Sequence, residues 1–185
     1  HYSNPDLSTL EYIGIDEFAV RKGHVYKTIV VNLQNGQVVY VGNGKGADAL
    51  DKFWKKACKA KARIKAVVTD LSAAFISSVM ENAPDAALVF DHFHVVKLMN
   101  DTLDKLRRQA YNQEADLMKR KVLKGTRWLL LCNGEDIYDS YHKNRLENAL
   151  EMNAPLMKGY YLKEALREIW MQVDKKKKEK VLCDW

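Results

Sequence analysis

Hydrophobic and polar positions divide the 185-residue sequence into a strand-patterned first half and a helix-patterned second half. Up to about residue 95, short apolar runs rich in β-branched residues alternate with amphipathic stretches, which predicts the order β-β-β-α-β-α-β. The predicted strands are residues 12–20, 25–33, 37–41, 64–69 and 86–90, and the predicted helices are about 47–60 and 73–82. This alternation predicts an α/β fold.

The strand pattern also predicts how the sheet is connected. Asn35-Gly36 lies between the second and third apolar runs and is a strong signal for a β-hairpin. The fourth and fifth runs are mostly apolar, which is typical of buried strands reached through right-handed crossovers. These features predict a mixed five-stranded sheet in the order 3-2-1-4-5, formed by residues 11–95, with residues 1–10 as a linker or tail.

The second half has the spacing of helices. From about Phe93 apolar residues recur every three to four positions, which predicts one long helix running towards Leu123. Two further helices are predicted at about 139–152 and 155–173. We therefore expect residues 96–185 to be helical throughout.

Composition narrows the class of protein. The formal net charge of +6 favours an anionic partner such as nucleic acid, although lysine-rich surfaces without that role are also common. No apolar stretch approaches the roughly 20 residues that span a bilayer, so we expect no membrane association. The three cysteines are far apart and lack C-x-x-C spacing, which excludes a disulfide framework and fits a reducing cytoplasm.

The most informative residues are Asp16 and Asp70, because each follows an apolar, β-rich run. In the predicted strand order the first and fourth strands are parallel neighbours, about 4.8 Å apart, so both carboxylates would reach one ion. Carboxylate oxygens suit Mg²⁺ or Mn²⁺, and two such ions can promote in-line phosphoryl transfer. The alternative is structural, because aspartate often caps turns and helices, and Asp70 could cap the helix that follows it.

Three other patterns are weaker candidates for a functional site. His92 and His94 would share a face in an extended segment and so could bind a metal, although packing or hydrogen bonding is the commoner role. Asp91 lies two predicted strands from Asp16, roughly 10 Å away, and is expected in the wall of the site. Residues 42–47 fit the dinucleotide-binding pattern G-x-G-x-x-A, but the strand before them belongs to a hairpin.

Basic residues are concentrated along the predicted long helix and at its end. They could follow a DNA backbone, or they could be a solvated face. They are Lys97, Lys105, Arg107, Arg108, Lys119, Arg120, Lys121, Lys124 and Arg127. The run Lys175–Lys178 is expected to be solvated.

Several motifs together resemble bacterial insertion-sequence transposases of the ISL3 group. They are IGIDEF at 13–18, RKGHVY at 21–26, VTDLS at 68–72, Pro84, FDHFHVVK at 90–97, RWLLL at 127–131 and YYLKE at 160–164. Their order and spacing match from about Tyr12 onward, so the resemblance covers most of the chain. The set is specific, whereas each motif alone is not.

The resemblance implies an RNase H-like fold with a DDE triad that cuts and joins DNA using two divalent metal ions, Mg²⁺ or Mn²⁺. By motif, Asp16 matches the first acid and Asp70 the second, and Glu17 accompanies the first. It also implies transposon-end and target DNA as partners, assembly as a homodimer on DNA, and a location at the nucleoid in the bacterial cytoplasm.

The third acid of the resemblance is a glutamate in a motif of the type T-N-G-x-x-E-G-x-N, beyond a helical insertion. No such motif occurs up to Trp185, and nothing marks Glu151, Glu164 or Glu168 as that residue. We therefore expect a core segment with two site carboxylates and an incomplete helical insertion at 96–185, inactive alone, with the third acid beyond Trp185. The alternative function is a non-catalytic module for DNA binding or dimerisation.

Overall fold

The structure is a computed structural model that describes residues 5–21 and 25–185. The chain divides into two compact units, His1–Val95 and Val96–Trp185. Residues 22–24 of the RKGHVY motif and residues 1–4 of the predicted tail lie outside the described residues.

The first unit is a five-stranded sheet with two helices. The strands are β1 (Tyr12–Arg21), β2 (Val25–Asn32), β3 (Val38–Asn43), β4 (Ala66–Thr69) and β5 (Ala87–Phe90), and the helices are α1 (Asp51–Lys59) and α2 (Ala73–Asn82). The order is β3-β2-β1-β4-β5. Both pairs among β1, β2 and β3 are antiparallel, whereas β4 lies parallel to β1 and to β5. The predicted mixed sheet and its order are confirmed, and the topology is RNase H-like.

One face of the sheet forms the core of this unit. Alternation along β1 turns Ile13 and Ile15 inward, and they pack with Val67 of β4, Phe53 of α1 and Phe75 of α2. Burial of these large apolar side chains is the main stabilising contribution. A buried hydrogen bond joins the two helices, because the indole nitrogen Nε1 of Trp54 donates to Ser78 Oγ at 2.8 Å.

Three details of the first unit differ from the predictions. The described part of the predicted tail is not free, because Leu7 and Leu10 are buried in the core. The helix predicted at 47–60 begins as a 3₁₀ turn, Ala47–Leu50, before α1. The fifth strand is not buried on both faces, since Val89 and Phe90 are exposed at this edge of the sheet. A short apolar run therefore does not show whether its strand is buried in the centre of a sheet or exposed at an edge of it.

The second unit is helical, as predicted. Its helices are α3 (His92–Gln113, which begins in the first unit), α4 (Leu117–Gly125), α5 (Arg127–Leu131), α6 (Ser140–Glu151), α7 (Ala154–Met171) and α8 (Lys175–Asp184). The prediction of one helix running to Leu123 is wrong. The side chain of Asp116 accepts hydrogen bonds from the backbone N–H groups of Met118 and Lys119 and so starts α4 as a separate helix.

A separate apolar core holds these helices together. Leu103 of α3, Leu123 of α4, Leu130 of α5 and Leu156 of α7 are fully buried within it. The run Lys175–Lys178 lies in α8, largely in solvent as expected. Within residues 5–21 and 25–185, the helices are all too short or too polar to serve as membrane spans.

Candidate metal centre at the parallel strands

The parallel pair β1 and β4 brings Asp16 and Asp70 side by side. The pairing runs from Tyr12 with Ala66 to Ile15 with Thr69. Asp16 is the next residue of β1, and Asp70 is the first residue after β4. Neighbouring strands are about 4.8 Å apart. Beyond this point β1 continues in partnership with β2, whereas β4 ends. The two carboxylates therefore lie where the parallel strands separate.

Both side chains project from the same face of the sheet. Ile15 is 2 % exposed and Thr69 1 % exposed, because both point into the core. Successive side chains on a strand alternate between faces, so Asp16 and Asp70 lie on the opposite, outer face. Asp16 is exposed and Asp70 is half-buried. The register of β1 and β4 is therefore the one that the predicted convergence of these two residues requires.

Each carboxylate is oriented by one backbone hydrogen bond. Asp16 Oδ1 accepts from the N–H of Glu17 at 2.8 Å, and Asp70 Oδ1 accepts from the N–H of Ser72 at 2.9 Å. Ser72 precedes α2, so Asp70 also has the structural role that the alternative predicted. Within the described part of the chain, neither Oδ2 has a hydrogen-bond or ion-pair partner. One oxygen of each side chain is thus left for a ligand.

Asp91 occupies the same row one strand further on but is fully engaged. Its N–H donates to the carbonyl oxygen of Thr69 at 2.9 Å, which places it beside Asp70. Its Oδ1 accepts from the N–H of Phe93 at 2.9 Å, and its Oδ2 lies 3.1 Å from Nδ1 of His94. Asp91 therefore caps the start of α3, and its position fits the expected wall of the site.

Two of the weaker candidates are not brought into the site. His92 and His94 lie in the first turn of α3 rather than in an extended segment, so they do not share a face. Nδ1 of His94 contacts Asp91, which agrees with hydrogen bonding, the role that the sequence favours over metal binding. Glu17 pairs with Thr28, which is buried on the core side, so alternation places Glu17 on the face opposite Asp16.

The dinucleotide-binding alternative for residues 42–47 is excluded by topology. It requires a strand followed by a helix and an adjacent parallel strand, but β3 is an edge strand antiparallel to β2. Gly42 has a packing role instead, because a Cβ atom there would lie 2.3 Å from the carbonyl oxygen of Ala49. Gly44 has a φ of +92°, a conformation that favours glycine.

The donor set fits a divalent cation that binds through few protein ligands. Among residues 5–21 and 25–185, no group of three or more acidic, histidine or cysteine side chains is arranged to hold a metal ion. Mg²⁺ is commonly held by one or two carboxylates, with water and substrate phosphate supplying the remaining ligands. Asp16 and Asp70 supply two such carboxylates, and neither forms an ion pair with a basic side chain among the described residues.

An exposed apolar surface, which was not predicted from the sequence, lies on the same face as the two carboxylates. Phe18, Val41 and Val89 lie on the outer face by register and are each 45–46 % exposed, and Tyr12 is exposed beside them. The alternation along β1 carried the signal, because Tyr12 and Phe18 have the same parity as Asp16. Exposed apolar patches of this kind mark interaction surfaces.

Comparison with known proteins now gives the family. Residues 13–185 match the family model described as "Transposase", of the ISL3 group of DDE transposases. The chain belongs to this family. It is 37 % identical over 169 residues to the transposase for insertion sequence element IS1001 of Bordetella parapertussis. It is 28 % identical over 187 residues to the transposase for insertion sequence element IS1557 of Mycobacterium tuberculosis.

The extent of these matches is asymmetric. They cover 90 % and 89 % of this chain but only 41 % and 42 % of the two relatives. The chain thus spans about two-fifths of the length of the transposases that it matches. The family match covers all of the second unit of this ISL3-group chain, and the first unit from Ile13 onward.

Proposed function

We propose that this chain contributes the core of a DNA transposase in which Asp16 and Asp70 together bind catalytic divalent metal. The observation that supports this most strongly is the register of β1 and β4, which sets the two carboxylates side by side on one face. Family membership supports DNA as the substrate. On this proposal the partners are transposon ends and target DNA, with a homodimer assembled on the DNA at the bacterial nucleoid.

The contribution of the two residues follows from their hydrogen bonds. The N–H groups of Glu17 and Ser72 hold one oxygen of each carboxylate, which leaves the other oxygen to bind a cation. When bound, Mg²⁺ or Mn²⁺ supplies charge neutralisation at the scissile phosphate and lowers the pKa of an attacking hydroxyl. Asp16 and Asp70 would hold that cation where the phosphodiester is attacked by water and later by a DNA 3′-hydroxyl.

We further propose that a third carboxylate completes this site from an element that covers the outer face. The exposed Phe18 and Val89 beside the two aspartates support a covering element, because apolar surface of this kind is stabilised by burial. Glu164 is not a candidate, since it is ion-paired with Lys163 at 2.7 Å and with Arg167 at 3.3 Å.

The test measures the rate of DNA cleavage by the transposase that contains this chain, with Asp16→Asn or Asp70→Asn introduced. Each substitution removes one negative ligand but preserves the shape of the side chain. Cleavage should fall about a thousandfold or more, because a metal site provides several kcal/mol of transition-state stabilisation. Far-UV circular dichroism should be unchanged, since Asp16 is exposed and Asp70 half-buried.

Asp85→Asn is the matched control, because Asp85 is an exposed acid in the turn before β5. Its cleavage rate should equal that of the unmodified protein. Retained cleavage in both Asp16→Asn and Asp70→Asn would overturn the assignment and favour a non-catalytic module for DNA binding or dimerisation.

A further inference from the structure

Helix α4 has an unusual concentration of positive charge. Four of its nine residues are basic and none is acidic: Lys119, Arg120, Lys121 and Lys124. The nearest acid, Asp116, is occupied in capping the helix. Within the described residues, Lys121 and Lys124 have no ion-pair partner. The charge on this helix is therefore not neutralised by its own neighbours.

Beside α4, three arginines share one carboxylate. Asp104 lies 2.8 Å from Arg107 and 2.6 Å from Arg108, and 3.6 Å from Nε of Arg127. Asp104 and Arg107 are buried, whereas about half or more of the Arg108 and Arg127 side chains is exposed. One negative charge cannot neutralise three guanidinium groups, so the exposed arginines retain excess positive charge and free N–H donors.

Two cavities that include residues of α4 in their walls are also lined by basic side chains. One, of about 280 Å³, is lined by Arg107, Arg108 and Lys124 together with Tyr111 and Asn112. The other, of about 430 Å³, includes Lys121, Arg145, Asn144 and the exposed Tyr141. Neither lining contains a carboxylate. Arginine, lysine, asparagine and tyrosine are the side chains that donate hydrogen bonds to DNA phosphates.

We propose that this α4 basic surface, defined as Arg108, Lys121, Lys124, Arg127 and Arg145, binds the phosphodiester backbone of duplex DNA. The choice of DNA among polyanions rests on the proposed function. The inference that this surface binds a polyanion rests on the arrangement of charges alone. Nine helical residues span about 13 Å, the length of about four phosphates along one strand. Backbone contacts carry no sequence information, so binding is equally tight for unrelated duplexes.

The test is salt-dependent binding of a fluorescent 20-base-pair duplex to the chain in EDTA, measured by anisotropy. Lys121→Ala combined with Lys124→Ala should reduce the slope of log K against log salt by about 1.8, because each phosphate contact contributes about 0.9. At 0.1 M salt the affinity should fall about 10- to 100-fold. Alanine favours helix, so circular dichroism should show α4 intact.

Lys176→Ala combined with Lys177→Ala is the control, because it removes the same charge from exposed positions on α8. It should leave the slope nearly unchanged. The proposal is overturned if both double variants weaken binding equally, if the α4 variant binds like the unmodified chain, or if polyglutamate competes as well as DNA. The binding assay contains EDTA and so involves no metal-dependent cleavage, which makes failure of the proposed metal site and loss of this surface separately measurable.

Discussion

Three aspartates lie at the same level of the parallel strands β1, β4 and β5, yet their contacts give them different roles. Asp91 uses both oxygens, on Phe93 N–H and on His94. Asp16 and Asp70 use one oxygen each on a following N–H group. Asp70 and Asp91 lie just past the ends of their strands, as the sequence predicts, whereas β1 continues through Asp16 to Arg21. Only side-chain geometry separates a helix cap from a carboxylate that keeps one oxygen for a ligand. The hydrogen bond from Ser72 gives Asp70 a structural role that uses only one of its two oxygens.

The burial of Asp104 could not be predicted from the sequence, because this residue is one of many polar residues on a predicted helix. Burial raises its pKa, but the hydrogen bonds and charges of Arg107 and Arg108 outweigh that effect, and its pKa lies below the ordinary value of 3.8. A carboxylate with a depressed pKa stabilises the fold above that ordinary value. This stabilisation is lost as the pH falls through the lower pKa of the folded state.

Asp104→Asn should therefore lower the free energy of unfolding by about 3–5 kcal/mol at neutral pH, because it leaves the buried Arg107 without its counter-charge. Urea unfolding followed by circular dichroism at 222 nm measures this. The difference from the unmodified chain should shrink as the pH falls from about 5 towards 2.

Asp101→Asn is the control for this substitution. Asp101 lies 3.4 Å from Lys97, and both side chains are exposed. Exposed pairs of this kind contribute at most about 0.5 kcal/mol on a helix. Equal stability of the Asp104→Asn and Asp101→Asn variants would contradict a stabilising role for the buried cluster.

At the scale of elements, the sheet was predictable because its signals are local and mutually consistent. The Asn35-Gly36 hairpin and the apolar run before Asp70 predict neighbours that the structure confirms. The break between α3 and α4 was not predicted, because apolar residues resume at Leu117 and Met118, directly after the cap at Asp116 that starts α4. The edge position of β5 agrees with the predicted strand order, but the exposure of Val89 and Phe90 was not predicted, because an apolar run does not reveal what covers it.

The packing of β3 against the 3₁₀ turn gives an element-scale prediction. Gly42→Ala would place a Cβ atom 2.3 Å from the backbone oxygen of Ala49, so the turn must shift. We expect a loss of about 1–3 kcal/mol in the free energy of unfolding, measured by urea denaturation.

Gly46→Ala is the matched comparison. Its φ is −90°, and the nearest atom to a new Cβ is a side-chain oxygen of Asp48, which can rotate away. Its stability should stay within about 0.5 kcal/mol of the unmodified chain. If Gly42→Ala is equally harmless, close packing is not the reason for glycine at this position.

At the scale of the whole molecule, the chain combines an RNase H-like sheet unit with a helical unit, and each carries a different part of the proposed function. The sheet unit presents the paired carboxylates on an apolar outer face. The helical unit presents the α4 basic surface. The division near Val95 follows the switch from strand to helix periodicity. Alternation along β1 indicates that the outer face is partly apolar, but it does not reveal whether another element covers that face, so its exposure was not predicted.

The paired carboxylates can be tested by diffraction from crystals of the chain soaked in Mn²⁺, using anomalous scattering to locate the ion. We predict an anomalous peak on the outer face, with oxygens of both Asp16 and Asp70 about 2.0–2.3 Å away. The peak should disappear in crystals of Asp70→Asn grown under the same conditions. A peak that contacts only one of the two aspartates, or Mn²⁺ bound elsewhere with both carboxylates empty, would contradict a shared metal site.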